Sequence, residues 1–315
     1  MFAAAGRYMG ATWRRILIRN LARGVALAGT KGIGGKMTTN PLEGFDGLVF
    51  DEWIAGAFEA INAEPGYAML IWPPQRNRGR VYAHLLDHKG TPLGFAKISA
   101  NAKNDAEFRN EASALRAVGR LHVDSFGHPS CLHEGVLGGC LTLIFDPLPV
   151  GARNGRVDPR PLIPEYRGEI RRIDCSGDQA PRWRDLVRTR AAADGSSAFL
   201  DSFEACLGSP AEVCFVHGDL IRSNVLIHNG RPWIVDWELS APDGPVLVDE
   251  MTHWMSLHMG KQVSDPKIGV EMFKAQFITD QSPEAVQRAT LAFGYRYAMG
   301  IGFVVAMAQV WNHGG

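Results

Sequence analysis

Residues Cys214 to Glu238 read CFVHGDLIRSNVLIHNGRPWIVDWE. Two short apolar runs, Val225 to Ile227 and Trp233 to Val235, flank Asn229-Gly230. Asn-Gly between such runs is a strong hairpin signal, because both residues accept the positive φ of a tight turn. His217, Gly218 and Asp219 stand just before the first run, Asn224 follows Asp219 in the same loop, and Asp236 stands just after the second run. The hairpin therefore brings Asp219 and Asn224 close to Asp236. Two carboxylates and an amide oxygen converging there suit Mg²⁺, which takes hard oxygen ligands and shares its shell with phosphates. Asp, Asn and Gly are each also ordinary turn formers. The specificity lies in the joint pattern H-x-D-x-x-x-x-N, hairpin, I-V-D-W-E.

Upstream of this block the pattern is that of strands. A short helix is expected over Phe50 to Ala63, then strands over Tyr67 to Trp72, Val81 to Leu86 and Leu93 to Ile98, joined by the polar turns Pro73 to Gly79 and His88 to Gly90. Such short connections make an antiparallel meander. Phe108, Ala112, Leu115 and Val118 share one face of a helix expected over Asn104 to Val118. Two further strands are expected at Cys131 to Val136 and Cys140 to Phe145, stopped by Asp146-Pro147-Leu148-Pro149, since proline cannot donate to a ladder. The arginine-rich stretch to about Ser209 reads as helices and loops, and the end of the chain as largely helical, with Tyr297 to Val310 a buried helix.

The chain has 315 residues, 33 basic and 33 acidic side chains, 46% hydrophobic residues and 21% charged ones. This is a globular composition, which excludes disordered, collagen-like and coiled-coil classes and gives no electrostatic footprint for nucleic acid. The five cysteines include no C-x-x-C pair, so a disulfide framework or zinc ribbon is unsupported and a reducing cytoplasm fits. No segment has the roughly 18 consecutive apolar residues of a membrane span.

The first 42 residues contain no acid. Trp13, Leu17 and Leu21 fall on one helical face and Arg15, Arg19 and Arg23 on roughly the opposite one. Two readings stand: a helix docked on the body with a solvated basic side, or a helix lying on an anionic membrane surface. A flexible linker is expected over Gly29 to Asn40. Gly32 to Lys36 (GIGGK) lacks the spacing of a Walker phosphate loop.

His217-Gly-Asp219-Leu-Ile-Arg-Ser-Asn224 followed by Ile234-Val-Asp236-Trp-Glu238 resembles the aminoglycoside phosphotransferase and choline kinase family, small-molecule kinases of the protein-kinase-like superfamily. The resemblance covers about residues 60 to 260. It implies an α+β bilobal fold: a small lobe with a five-stranded antiparallel sheet and one helix, and a larger, mainly helical lobe, with ATP between them. The corresponding division is 1–60 as an extension and linker, 61–149 as the nucleotide-binding lobe and 150–315 as the catalytic and substrate-binding lobe.

The resemblance also implies roles. Lys97 resembles the strand lysine that holds the α and β phosphates, and Glu111 the helix glutamate that orients it, with Glu107 one turn earlier as a rival. Asp219 resembles the catalytic aspartate, and Asn224 and Asp236 the two Mg²⁺ ligands. His217 resembles a brace of the loop, and Asp249 an aspartate that holds that loop from beneath. Asp249 also reads as an ordinary helix N-terminal acid. Asp146 and Leu148 fall where the hinge backbone would meet adenine. The nucleotide-covering loop falls at Pro73 to Arg80 but has only Gly79 in place of G-x-G-x-x-G, which leaves Arg76, Asn77 or Arg78 as phosphate donors.

The implied activity is ATP- and Mg²⁺-dependent transfer of the γ-phosphoryl to a hydroxyl of a small molecule. Ile221 stands where protein kinases carry lysine, and 12 residues separate Asp236 from Asp249, too few for a long activation loop. Residues 251 to 315 hold four acids and five bases, a balance that does not favour a polycationic aminoglycoside. Trp237, Trp254, Phe293, Tyr295, Tyr297 and Trp311 offer aromatic faces for an amino alcohol of the choline type. A sugar or related hydroxylated metabolite ranks first. A nucleotide-binding regulatory module without turnover and a membrane-tethered kinase of a lipid-linked acceptor are the alternatives. Sequence leaves the oligomeric state open.

Overall fold

The computed structural model describes residues 49–71, 79–99, 101–121, 123–154, 157–175, 180–259 and 262–311. The expected basic helix, the linker, GIGGK and Arg76 to Arg78 lie outside the described residues. The chain divides into two compact units. The first takes the described residues up to Gly119, together with His128–Arg153 and Ile227–Gly230. The second takes Arg120–Gly127, Asn154–Leu226 and Arg231 onward.

The first unit is built on one sheet. Helix α1 (Phe50–Ala60) precedes β1 (Tyr67–Ile71), β2 (Arg80–Leu86) and β3 (Pro92–Ser99); helix α2 (Ala102–Gly119) then leads to β4 (Cys131–Leu137) and β5 (Cys140–Phe145). The strand order is β1-β2-β3-β5-β4, every pair antiparallel, as the short connections require. Its core joins Trp53, Ala57 and Phe58 of α1 to Val81, Ala83, Leu85, Ala96, Ile98 and Ile144 of the sheet. The buried Trp53 indole donates to Thr142 Oγ1 at 3.0 Å, so its one polar atom is satisfied. Asn101 Oδ1 accepts the Asn104 N–H at 3.0 Å and caps α2, which begins two residues earlier than its apolar period suggests.

The second unit is mainly helical. Helix α3 (Ile163–Arg167), strand β6 (Arg171–Ile173), α4 (Arg182–Asp194) and α5 (Ser197–Leu207) lead to β7 (Ala211–Val216). Then come β8 (Val225–His228, of which Ile227 and His228 belong to the first unit), β9 (Arg231–Ile234), β10 (Ala241–Pro245), α6 (Val248–His258), α7 (Pro266–Phe277), α8 (Pro283–Ala298) and α9 (Gly302–Gln309). Asn229 and Gly230, at the turn from β8 to β9, have φ of 49° and 79°, as the Asn-Gly turn demands. Strand β7 is the centre of a three-stranded sheet with β6 and β10 at its edges.

Three parts of this unit depart from the sequence expectation. Strand β6 stands where helices and loops were expected, and β10 where the largely helical end was expected to begin; β10 carries two prolines, which an edge strand tolerates because one side of its ladder is unpaired. The stretch Tyr297 to Val310 is not one helix: α8 ends at Ala298 and α9 starts at Gly302, with Gly300 at φ +75° between them. A left-handed residue breaks the helical bond series, and glycine takes that conformation at no steric cost. The core of this unit is aromatic: Phe199, Phe203, Phe273, Phe293, Tyr297 and Trp311 are all buried and pack ring against ring.

Candidate active site

In the first unit Lys97 lies on β3, paired across the ladder with Tyr82 and Leu143. The side chain is buried, and a buried ammonium requires a partner. Nζ donates to Glu111 Oε1 at 2.9 Å and Oε2 at 2.7 Å, and it sits 5.9 Å from the centre of the Phe145 ring. Glu107, one turn earlier on α2, forms its ion pair with Arg80, whose Nε also donates to Asn104 Oδ1 at 2.7 Å. The two glutamates thus have separate cations. Asp146 and Leu148 follow β5 and are both half-buried. Asp146 accepts the Ser130 N–H at 2.6 Å, and burial pushes its carboxyl up while the Ser130 bonds pull it back.

In the second unit the loop after β7 is held by several independent contacts. Asp249, in the first turn of α6, is fully buried and takes three donors: the N–H of His217 at 2.8 Å, the N–H of Gly218 at 2.9 Å and the Tyr166 hydroxyl at 2.9 Å. Burial raises its carboxyl, and the loop amides act in the opposite direction. The His217 ring accepts the Asp219 N–H on Nδ1 at 3.1 Å, so its proton resides on Nε2, which donates to the Val235 carbonyl at 3.1 Å. Burial lowers the pKa of this imidazole and keeps it neutral. His217 therefore ties the loop before β8 to the residue preceding Asp236. Gly218 has φ +79°, and a Cβ there would lie 2.0 Å from the Leu239 carbonyl oxygen, so no other residue fits.

The three candidate groups converge in this unit. Asn224 Nδ2 donates to Asp219 Oδ2 at 3.1 Å and to the Asp219 carbonyl at 3.0 Å. The Val235 N–H donates to the Asn224 carbonyl at 3.0 Å, which places Asp236 beside Asn224. Asp236 is in the left-handed region at φ +70°, unusual for a residue with a side chain. Burial raises the Asp219 carboxyl most; Arg296 and His217 lower it, and the nearby Asp236 charge raises it again. The Asn224 amide oxygen and the Asp236 carboxylate are hard oxygen donors, a set that fits Mg²⁺.

Sequence reasoning passed over Arg296. It projects from α8, is buried, and its Nη1 donates to the Gly218 carbonyl at 2.5 Å and to Asp219 Oδ1 at 3.1 Å. The available signal was a lone cation inside the buried run Leu291 to Tyr297. Its neighbour Tyr295 donates to the Leu239 carbonyl at 2.6 Å.

Residues 153–281, which contain His217, Asp219, Asn224, Asp236 and Asp249 but neither Lys97 nor Glu111, match the phosphotransferase enzyme family. Among solved structures, a thermostable mutant of aminoglycoside phosphotransferase APH(4)-Ia in its apo form is similar, with a TM-score of 0.51 and 15% identity over 82% of this chain and 96% of that one. At that identity the likeness concerns the fold. A choline/ethanolamine kinase family protein from Mesorhizobium loti has a TM-score of 0.40 and 15% identity over 82% of this chain and 99% of that one. No curated protein sequence matches. The family match on the motif-bearing segment supports a phosphotransferase, and the structural likeness supports the fold.

Proposed function

We propose that this chain is an ATP- and Mg²⁺-dependent kinase that transfers the γ-phosphoryl of ATP to a hydroxyl of a small molecule, with a sugar or related hydroxylated metabolite as the acceptor class. The observation that carries the reading is the half-buried Asp219 carboxylate, tied by Asn224 on one oxygen and Arg296 on the other, with the Asp236 charge close by. Phosphoryl transfer needs little covalent chemistry from the protein; it needs positioned charge. Asp219 is the group that aligns the acceptor hydroxyl. As the bond from acceptor oxygen to phosphorus forms and the bond to ADP breaks, the hydroxyl proton passes to this carboxylate. Lys97, oriented by Glu111, contacts the nucleotide phosphates. Asn224 and Asp236 hold magnesium, which when bound neutralises phosphate charge. His217 and Asp249 keep the loop in shape and do no chemistry.

The aromatic side chains argue against a quaternary ammonium acceptor. Trp237, Phe293, Tyr295, Tyr297 and Trp311 are all buried in packing. The half-buried Trp254 is stacked on His258 at 4.9 Å. No open cage is left from that set. The test is purified protein with ATP, Mg²⁺ and a panel of sugars, sugar phosphates, amino alcohols and aminoglycosides, read by ADP release and product mass. Phosphorylation of a sugar-class hydroxyl is the expected result. Absence of acceptor-dependent ADP release across the panel contradicts the reading.

A further inference from the structure

We propose that Arg296 is a positioning residue for the transfer step, holding the Asp219 carboxylate in the orientation that meets the acceptor hydroxyl. The inference rests on the phosphotransfer reading. The two oxygens of Asp219 have separate anchors: Oδ1 faces Arg296 Nη1 at 3.1 Å and Oδ2 accepts from Asn224 Nδ2 at 3.1 Å. With one anchor the carboxylate could swing about its terminal torsion, which is a broad, soft rotor. With two it is fixed, and each oxygen retains a lone pair for the acceptor.

The rest of α8 makes the anchor rigid. Arg296 also donates to the Gly218 carbonyl, Tyr295 donates to the Leu239 carbonyl, and Tyr297 donates to Asp194 Oδ1 at 2.6 Å. Three consecutive buried side chains therefore tie α8 to the Asp219 loop, to the segment after Asp236 and to the end of α4. A guanidinium is rarely buried without a paired acceptor, because desolvating it is costly. Here its carboxylate partner is the residue assigned to the chemistry. Packing alone would be served by a methionine or leucine at this position. A carboxylate misplaced by about an ångström forfeits much of the advantage of orientation.

Steady-state kinetics of the full chain test this, with ATP, Mg²⁺ and whichever acceptor the panel identifies. Arg296→Met is expected to lower kcat by about 10- to 100-fold, with KM for ATP within about two-fold of wild type. Arg296→Lys, which keeps the charge and a donor, is expected to recover part of that loss. A merely structural role would reduce thermal stability and ATP binding together and would leave no split between kcat and KM. If Arg296→Met does not fold, Arg296→Gln takes its place with the same two outcomes. A folded variant with wild-type kcat, or with its loss confined to KM for ATP, overturns the inference alone. Absence of turnover by the wild type on every acceptor removes the phosphotransfer reading and the inference with it.

Discussion

Lys97 and Glu111 are a buried ion pair, so the removal of either leaves an uncompensated charge in a place water does not reach. Lys97→Ala is expected to raise KM for ATP by about 10-fold or more, the worth of a charge-assisted phosphate contact. It should also destabilise the first unit by about 3–5 kcal/mol, as stranding Glu111 predicts. ATP titration and chemical denaturation measure the two effects separately; equal ATP kinetics in variant and wild type would make Lys97 only a strand lysine. The choice between Glu111 and Glu107 was not legible in the sequence, because both lie on one face of α2 and either could reach β3. What decides it is Arg80, on a different strand, which takes Glu107. Asp219, Asn224 and Asp236 were legible because a single hairpin sets their proximity. Arg296 was not, because it is distant in sequence and resembles any base on a helix near the C-terminus.

Helix α8 reaches the Asp219 loop through the Arg296 side chain, and its packing against α5 is close. Gly294 faces Phe203 of α5, and a Cβ there would lie 2.7 Å from the Phe203 ring. Gly294→Ala should therefore cost about 1–3 kcal/mol by overpacking. A lower urea midpoint with an unchanged slope is the expected signature. The start of the same helix is tied by charge: Arg288 donates to Glu212 Oε2 at 2.8 Å. The Arg288 bond chiefly holds the Glu212 carboxyl below its ordinary value, with Arg172 adding to it. A carboxyl lowered in the folded state stabilises the fold above its ordinary pKa of about 4.3, and that contribution is lost as pH falls through the folded value. Glu212→Gln should therefore flatten the fall in Tm below about pH 4.5. A melt series in acid buffers checks this. The main helices and the meander were legible from period and turn chemistry. Strand β10 was hidden because Ala-Pro-Asp-Gly-Pro reads as a loop, and only its pairing with β7 makes it a strand.

Among the described residues, burial makes three histidines reluctant to charge: His133 in the first unit, and His217 and His253 in the second. The unfolded chain takes up these protons near pH 6.5 while the folded chain does not. Stability is therefore complete above about pH 6.5 and declines as pH falls toward the folded values. A denaturation midpoint that stays flat from pH 7.5 to 5.5 would contradict this. The bilobal expectation was legible because each unit has its own pattern, alternation in one and aromatic helices in the other. The stretch Pro73 to Arg80, expected to cover the nucleotide, has only Gly79 to mark that role, and most of it lies outside the described residues.

Everything proposed for the chemistry converges on Asp219, and Asp219→Asn is the decisive variant. The amide keeps the shape and can still hydrogen-bond, but it has neither the charge nor the basicity to take the hydroxyl proton. The expected result is a folded variant with near wild-type thermal stabilisation by Mg-ATP and a kcat lower by about 10² or more, the usual contribution of a general base. A folded Asp219→Asn protein that binds Mg-ATP and phosphorylates its acceptor at the wild-type rate would contradict it.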